Sequence, residues 1–105
     1  MLQNKVALVT GASRGIGART AVELAKAGCQ VAVNYHHSSA QVHCVLQEIQ
    51  AFGGKAAAFQ GDVSDPESCR VMVAQVIQTF GTVHILVNNA GINGHMPFLE
   101  TSLEF

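Results

Sequence analysis

Four short apolar runs, each separated from the next by a stretch of helical periodicity, constrain this chain more than any other feature. They are Lys5 to Thr10 (KVALVT), Gln30 to Asn34 (QVAVN), Lys55 to Gln60 (KAAAFQ) and His84 to Asn88 (HILVN). Continuous apolar runs of this length read as strands covered on both faces. Alanine makes the third weak by propensity. Gly15 to Ala27 reads as a helix ended by Gly28. Ser39 to Phe52 reads as a second: Val42, Val45, Leu46 and Ile49 form one apolar stripe, and Gly53 and Gly54 stop it. Ser64 is expected to cap a third, with Glu67 at capping-box spacing and Pro66 in the first turn. Cys69, Val73, Val76 and Phe80 make its apolar face, and Gly81 ends it. Thr101 and Glu104 repeat the capping spacing and predict the start of a further helix.

Strand and helix therefore alternate from the first run to the last. Crossovers between parallel strands are right-handed almost without exception. The expected fold class is α/β: a Rossmann-type, doubly wound parallel sheet, truncated, with strand order 3-2-1-4. Residues 1–105 form one partial domain of this type, with no linker and no low-complexity stretch. The composition agrees, being 49% hydrophobic and only 12% charged, where about a quarter charged is usual.

Several function classes are disfavoured. A net charge of −1 supplies no basic field for nucleic acid or anionic lipid. No apolar run is long enough to span a membrane, and no secretory leader is visible. The expected location is cytoplasmic. Cys29, Cys44 and Cys69 are odd in number and lack a CxxC, and are read as small buried apolar residues. The adjacent His36 and His37, without spaced cysteine or carboxylate ligands, do not read as a metal site. His43, His84 and His95 are read as ordinary surface or core residues.

The strongest local signal is Thr10-Gly11-Ala12-Ser13-Arg14-Gly15-Ile16-Gly17, between the first strand and the first helix. A chain that turns sharply there, brings its backbone near a pyrophosphate and packs a helix close to the sheet needs residues without side chains. The helix N-terminus would offer free N–H groups and a positive dipole end. The spacing is G-x-x-x-G-x-G rather than G-x-G-x-x-G. Taken alone, the glycines serve a structural turn as well as a phosphate cradle.

Two further motifs stand at strand ends: Asp62-Val63 after the third, and Asn88-Asn89-Ala90-Gly91 after the fourth. With the glycine turn, in this order and spacing, they resemble the short-chain dehydrogenase/reductase family. The likeness is greatest to its 3-oxoacyl-acyl-carrier-protein reductase and glucose dehydrogenase branch. The resemblance implies an NAD(P)(H)-dependent oxidoreductase that interconverts carbonyl and alcohol by hydride transfer, this chain being its cofactor-binding half. It implies that Gly11, Ala12, Ser13, Arg14, Gly15, Ile16 and Gly17 line the diphosphate and adenosine ribose. Asp62 would hold the adenine amino group, with Val63 against the ring. Asn89, Ala90 and Gly91 would run beside the nicotinamide side, and Asn88 would brace the sheet. A turn or capping role for Asp62, and a plain polar turn for the asparagines, are the competing readings.

An acidic residue after the second strand normally accepts the ribose hydroxyls and repels a 2′-phosphate. Here the stretch reads Asn34-Tyr35-His36-His37-Ser38-Ser39 and holds no carboxylate. Tyr35 and His36 join the expected cofactor contacts, Arg14 is placed to pair with a phosphate, and NADP(H) is favoured over NAD(H). The resemblance also implies a Tyr-x-x-x-Lys pair, but Tyr35 is followed four residues on by Ser39, and Lys5, Lys26 and Lys55 do not supply it. No catalytic residue is assigned, and the 105-residue chain is expected to be inactive alone. Expected partners are a small-molecule or acyl-linked carbonyl for the parent protein, and further copies of the chain in a homo-oligomer. Val83, Ile85, Leu86 and Val87 would form an apolar edge that invites pairing. The alternative is a non-catalytic dinucleotide-binding or interaction module.

Overall fold

The computed structural model describes residues 3–12, 15–37 and 39–89. Ser13, Arg14, Ser38, Ala90, Gly91 and the expected helix start at Thr101 lie outside them. The elements run β1 (Val6–Thr10), α1 (Gly15–Lys26), β2 (Gln30–Tyr35), α2 (Ser39–Ala51), β3 (Lys55–Gln60), α3 (Pro66–Phe80) and β4 (Ile85–Asn88). The four strands are parallel in the order β3-β2-β1-β4, as the alternation predicts.

All five residues of β1 are buried, because a central strand has helices on both faces. Its side chains alternate between two cores. Ala7 and Val9 join Ala21, Val22 and Ala25 of α1 and Val42, Val45 and Ile49 of α2. Leu8 points the other way, into Met72, Val73 and Val76 of α3 with Ala32 and Phe59. Complete burial of a leucine side chain contributes roughly 1.5–3 kcal/mol. The alanine-rich β3 is a strand despite its propensity because it pairs with β2 along its whole length, from Gln30↔Lys55 to Tyr35↔Gln60. It lies at the sheet edge, where its alanines are half-buried.

The start of α3 differs from expectation. Its N-cap is Asp65, not Ser64: the Asp65 carboxylate accepts the Ser68 N–H at 3.3 Å, and the helix begins at Pro66. Ser64 is turned toward Asp62 instead: its N–H and hydroxyl both donate to Asp62 Oδ1, at 3.0 and 2.6 Å. Glu67 bonds Arg70 instead of reaching back to the cap. On the buried face Met72 takes a fully enclosed place beside Cys69, Val73 and Val76, while Phe80 is only half-buried. At the far end Gly81 adopts φ 92° and its N–H bonds Ile77 O at 2.7 Å.

Two of the three cysteines are buried, and burial pushes the Cys29 and Cys69 thiols up, which keeps them protonated. Cys44 is exposed, contrary to expectation, because it lies on the solvent side of α2 beside the stripe Val42, Val45 and Ile49. Among the described residues no helix is long and apolar enough to cross a membrane.

Candidate functional site

The chain crosses the sheet in two directions. From β1 it winds through α1 to β2 and through α2 to β3, then α3 returns it to β4 on the other side of β1. The reversal falls at β1, and a crevice at the carboxyl ends of the strands on such a reversal is where open α/β sheets take ligands.

At this point β1 gives way to the glycine turn. Gly11 and Gly15 have φ of 60° and 65°, a region side chains disfavour. A Cβ added to Gly17 would sit 2.3 Å from the Gly11 carbonyl oxygen. Only glycine lets α1 approach the turn so closely. Among the described residues a Cβ on Gly15 would meet nothing within 4 Å. The first turn of α1 has no acidic side chain, whereas α3 opens with the Asp65 cap and Glu67. The positive end of α1 is therefore not neutralised by its own carboxylates. Ile16 stands out at 78% exposure, and Ala12 is buried.

The turn is tied to the strands on both flanks. On one side Asn34, 2% exposed at the end of β2, accepts the Gly11 N–H on Oδ1 at 3.2 Å. Its Nδ2 donates to the carbonyls of Phe59 and Gly61, both at 3.2 Å, and its own carbonyl accepts the Ala12 N–H at 2.9 Å. One amide thus links the turn to the ends of β2 and β3. On the other side the Thr10 hydroxyl donates to Asn88 Oδ1 at 3.2 Å and accepts the Asn89 N–H at 3.0 Å. Asn88 is a brace of the sheet in this geometry. Sequence reasoning assigned neither Asn34 nor Thr10 a role. The available signal was a polar residue closing an otherwise apolar strand.

Asn89 Nδ2 is buried and has no hydrogen-bond partner among the described residues. A buried donor left unpaired is unfavourable, and this one stands beside the turn at the end of β4.

Asp62 holds a tight turn. Oδ1 takes both Ser64 donors, and the Asp62 N–H bonds Ser68 Oγ at 2.8 Å. Oδ2 points toward His36, with Nε2 at 3.9 Å. The Ser64 hydroxyl and then its N–H hold the carboxyl below its ordinary value, against a desolvation penalty, with His36 and His37 contributing less. Val63 and Tyr35 are half-buried and lean on the α3-side and the α1/α2-side cores respectively. Among the described residues no group of three His, Cys, Asp or Glu side chains could hold a metal ion.

Residues 5–104 match the family model described as short chain dehydrogenase. The chain belongs to that family. It is 47% identical to 3-oxoacyl-acyl-carrier-protein reductase of Staphylococcus aureus over 92 residues, covering 88% of this chain and 37% of that protein. It is 47% identical to the short-chain dehydrogenase/reductase homolog YusS of Bacillus subtilis, covering 96% of this chain and 94% of that one. Among solved structures, a short chain dehydrogenase from Burkholderia cenocepacia in complex with NADP superposes with a TM-score of 0.81 at 42% identity. That match covers 97% of this chain and 44% of the other. The chain spans 41% and 38% of the length of the first curated relatives it matches, so YusS differs from them in length.

Proposed function

We propose that this short chain dehydrogenase binds NAD(P)(H), with NADP(H) preferred, as the cofactor-holding part of an oxidoreductase that interconverts carbonyls and alcohols. The observation that carries this reading is the close approach of Gly17 to the Gly11 carbonyl, which seats the start of α1 against the end of β1. The residues present fit a dinucleotide. The α1 N-terminus supplies N–H donors for a diphosphate. Among the described residues Asn89 Nδ2 is an unused buried donor at the end of β4, and Asp62 Oδ2 is an acceptor that faces His36 Nε2 at 3.9 Å while Ser64 occupies Oδ1.

In this reading the turn from Gly11 to Gly17 holds the diphosphate, with Ser13 and Arg14 contributing from outside the described residues. Tyr35 and His36 stand by the adenosine ribose. Asp62 accepts from the adenine amino group, with Val63 behind it. Asn89, Ala90 and Gly91 run toward the nicotinamide. When bound, the nicotinamide supplies or accepts the hydride. The protein's part here is to bind and orient, since the Tyr-x-x-x-Lys pair that would deliver a proton is absent from the chain. The substrate class, a small or acyl-linked carbonyl, follows from family membership rather than from this site.

The test is titration of the chain with NADPH and NADH, followed by nicotinamide fluorescence, with circular dichroism to establish folding. Saturable binding, tighter for NADPH, supports the reading, and a folded chain that binds neither overturns it. In the same preparation, NADPH and a panel of ketones should give no turnover; appreciable turnover would show that the chain holds a proton donor this reading lacks.

A further inference from the structure

Three ionisable side chains meet where β2 and β3 end. His36 Nε2 lies 3.9 Å from Asp62 Oδ2. The rings of His36 and His37 face one another with centroids 3.8 Å apart and planes inclined by 31°. The loop that carries them is fixed at both ends of the pair: Gln60 Nε2 donates to the His36 carbonyl at 3.2 Å, and the Ser39 N–H donates to the His37 carbonyl at 3.1 Å. Asp62 is fixed as well, because Ser64 occupies Oδ1 and leaves Oδ2 toward His36. The His36 and Asp62 side chains are 49% and 38% exposed, so a ligand from solvent reaches both.

We propose that His36 is a proton-gated ligand for a phosphate on the adenosine 2′-position, exchanging Asp62 for that phosphate, so that preference for NADPH over NADH rises as pH falls. This deepens the dinucleotide reading above and rests on it.

The argument is one of competing anions. The ionisable groups in contact with His36 among the described residues are His37 on its own loop and Asp62 from the β3–α3 connection. Arg14 of the glycine turn lies outside them. A neutral imidazole gives a phosphate no charge to pair with, and the nearby Asp62 carboxylate repels it. A charged imidazole has two anions to choose from. Asp62 offers one oxygen, already distant at 3.9 Å, while a phosphate monoester carries nearly two charges and three acceptor oxygens. The phosphate therefore wins His36 and releases Asp62 Oδ2 to accept from the adenine. A cofactor without the 2′-phosphate leaves His36 with Asp62 and gains nothing from the proton.

Calorimetry on the whole chain tests this with two probes, adenosine 2′,5′-bisphosphate and 5′-AMP, each at about pH 8.5 and about pH 6.5, in buffers of different ionisation enthalpy. Histidines change charge across this interval, and it stays above the second ionisation of a phosphate monoester near pH 6. The affinity ratio of bisphosphate to AMP should rise roughly 3- to 10-fold on acidification, with proton uptake for the bisphosphate only. His36→Gln should flatten the ratio to within about twofold and abolish the uptake, while His37→Gln should keep the rise. A ratio that is flat in the wild type, or that still rises in H36Q, overturns the proposal while AMP binding keeps the dinucleotide reading intact. A folded chain that binds neither probe overturns both.

Discussion

Asn34 Oδ1 accepts the N–H of Gly11 at 3.2 Å, from a strand that lies 23 residues further along the chain. The same side chain donates to Phe59 O and Gly61 O. A buried amide that is fully paired holds three chain segments in one geometry, and it is costly to replace. Asn34→Leu, similar in size, strands one N–H and two carbonyls, at roughly 1–3 kcal/mol for each group left unpaired. Asn34→Asp keeps the acceptor for Gly11 but loses both donors. Both variants are expected to lower the urea midpoint and weaken NADH binding, with the slope of the unfolding curve unchanged. Wild-type binding by either folded variant would show that the turn does not depend on this amide.

Gly15 and Gly17 are two residues apart and should fail differently. Gly17→Ala puts a methyl 2.3 Å from the Gly11 carbonyl, a backbone atom that cannot swing aside. Helix α1 must then move off the turn, and dinucleotide binding should fall more than about tenfold, because misplacing a positioning element by about 1 Å is enough to do so. Gly15→Ala meets nothing within 4 Å among the described residues but has φ 65°, so its cost is strain of about 1–2 kcal/mol. Chemical unfolding and cofactor titration of both variants separate the two effects. Equal binding losses would mean that close approach is not what Gly17 provides.

The strand order was legible because each short apolar run stood between stretches of another period. Even so, Met72 was missed beside the correctly read Cys69, Val73 and Val76. What the sequence hid were choices among neighbours and contacts across loops. Around α3, Asp62, Ser64 and Asp65 are all capping residues by type; in the fold Ser64 turns to Asp62 and Asp65 caps the helix. Asn34 looked like a strand end because its partners Gly11, Phe59 and Gly61 are 23 to 27 residues away. The glycine turn was legible since its spacing is local, while the His36–Asp62 contact joins two loops that no periodicity connects.

Asp62 should make stability depend on acid. Ser64 holds its carboxyl below the ordinary value of 3.8, with help from His36 and His37. A carboxyl depressed by folding contributes stability that is present above the ordinary value and is lost as pH falls through the folded one. Asp62→Asn keeps an acceptor for Ser64 and removes the charge. It is expected to melt below the wild type at neutral pH, with the gap closing as pH falls below the ordinary value and through the lowered folded one. Thermal melts across this range decide the matter, and a gap that widens toward acid would refute the assignment.

His84 closes the opposite end of the β1–β4 pair. Its Nδ1 accepts the Val6 N–H at 2.9 Å, and its own N–H donates to Val6 O at 2.8 Å. The side chain thus supplies a ladder acceptor just before β4 begins, although the residue is exposed and had no visible partner in sequence. Val6 is 1% exposed, so its N–H has little access to water if that acceptor goes. His84→Ala should cost roughly 1–3 kcal/mol by leaving this donor unpaired. His84→Asn, whose Oδ1 is an acceptor of shorter reach, should recover part of the loss. Urea unfolding of the three proteins gives the order wild type, H84N, H84A. If H84N is no better than H84A, packing by the ring rather than the bond to Val6 is what His84 contributes.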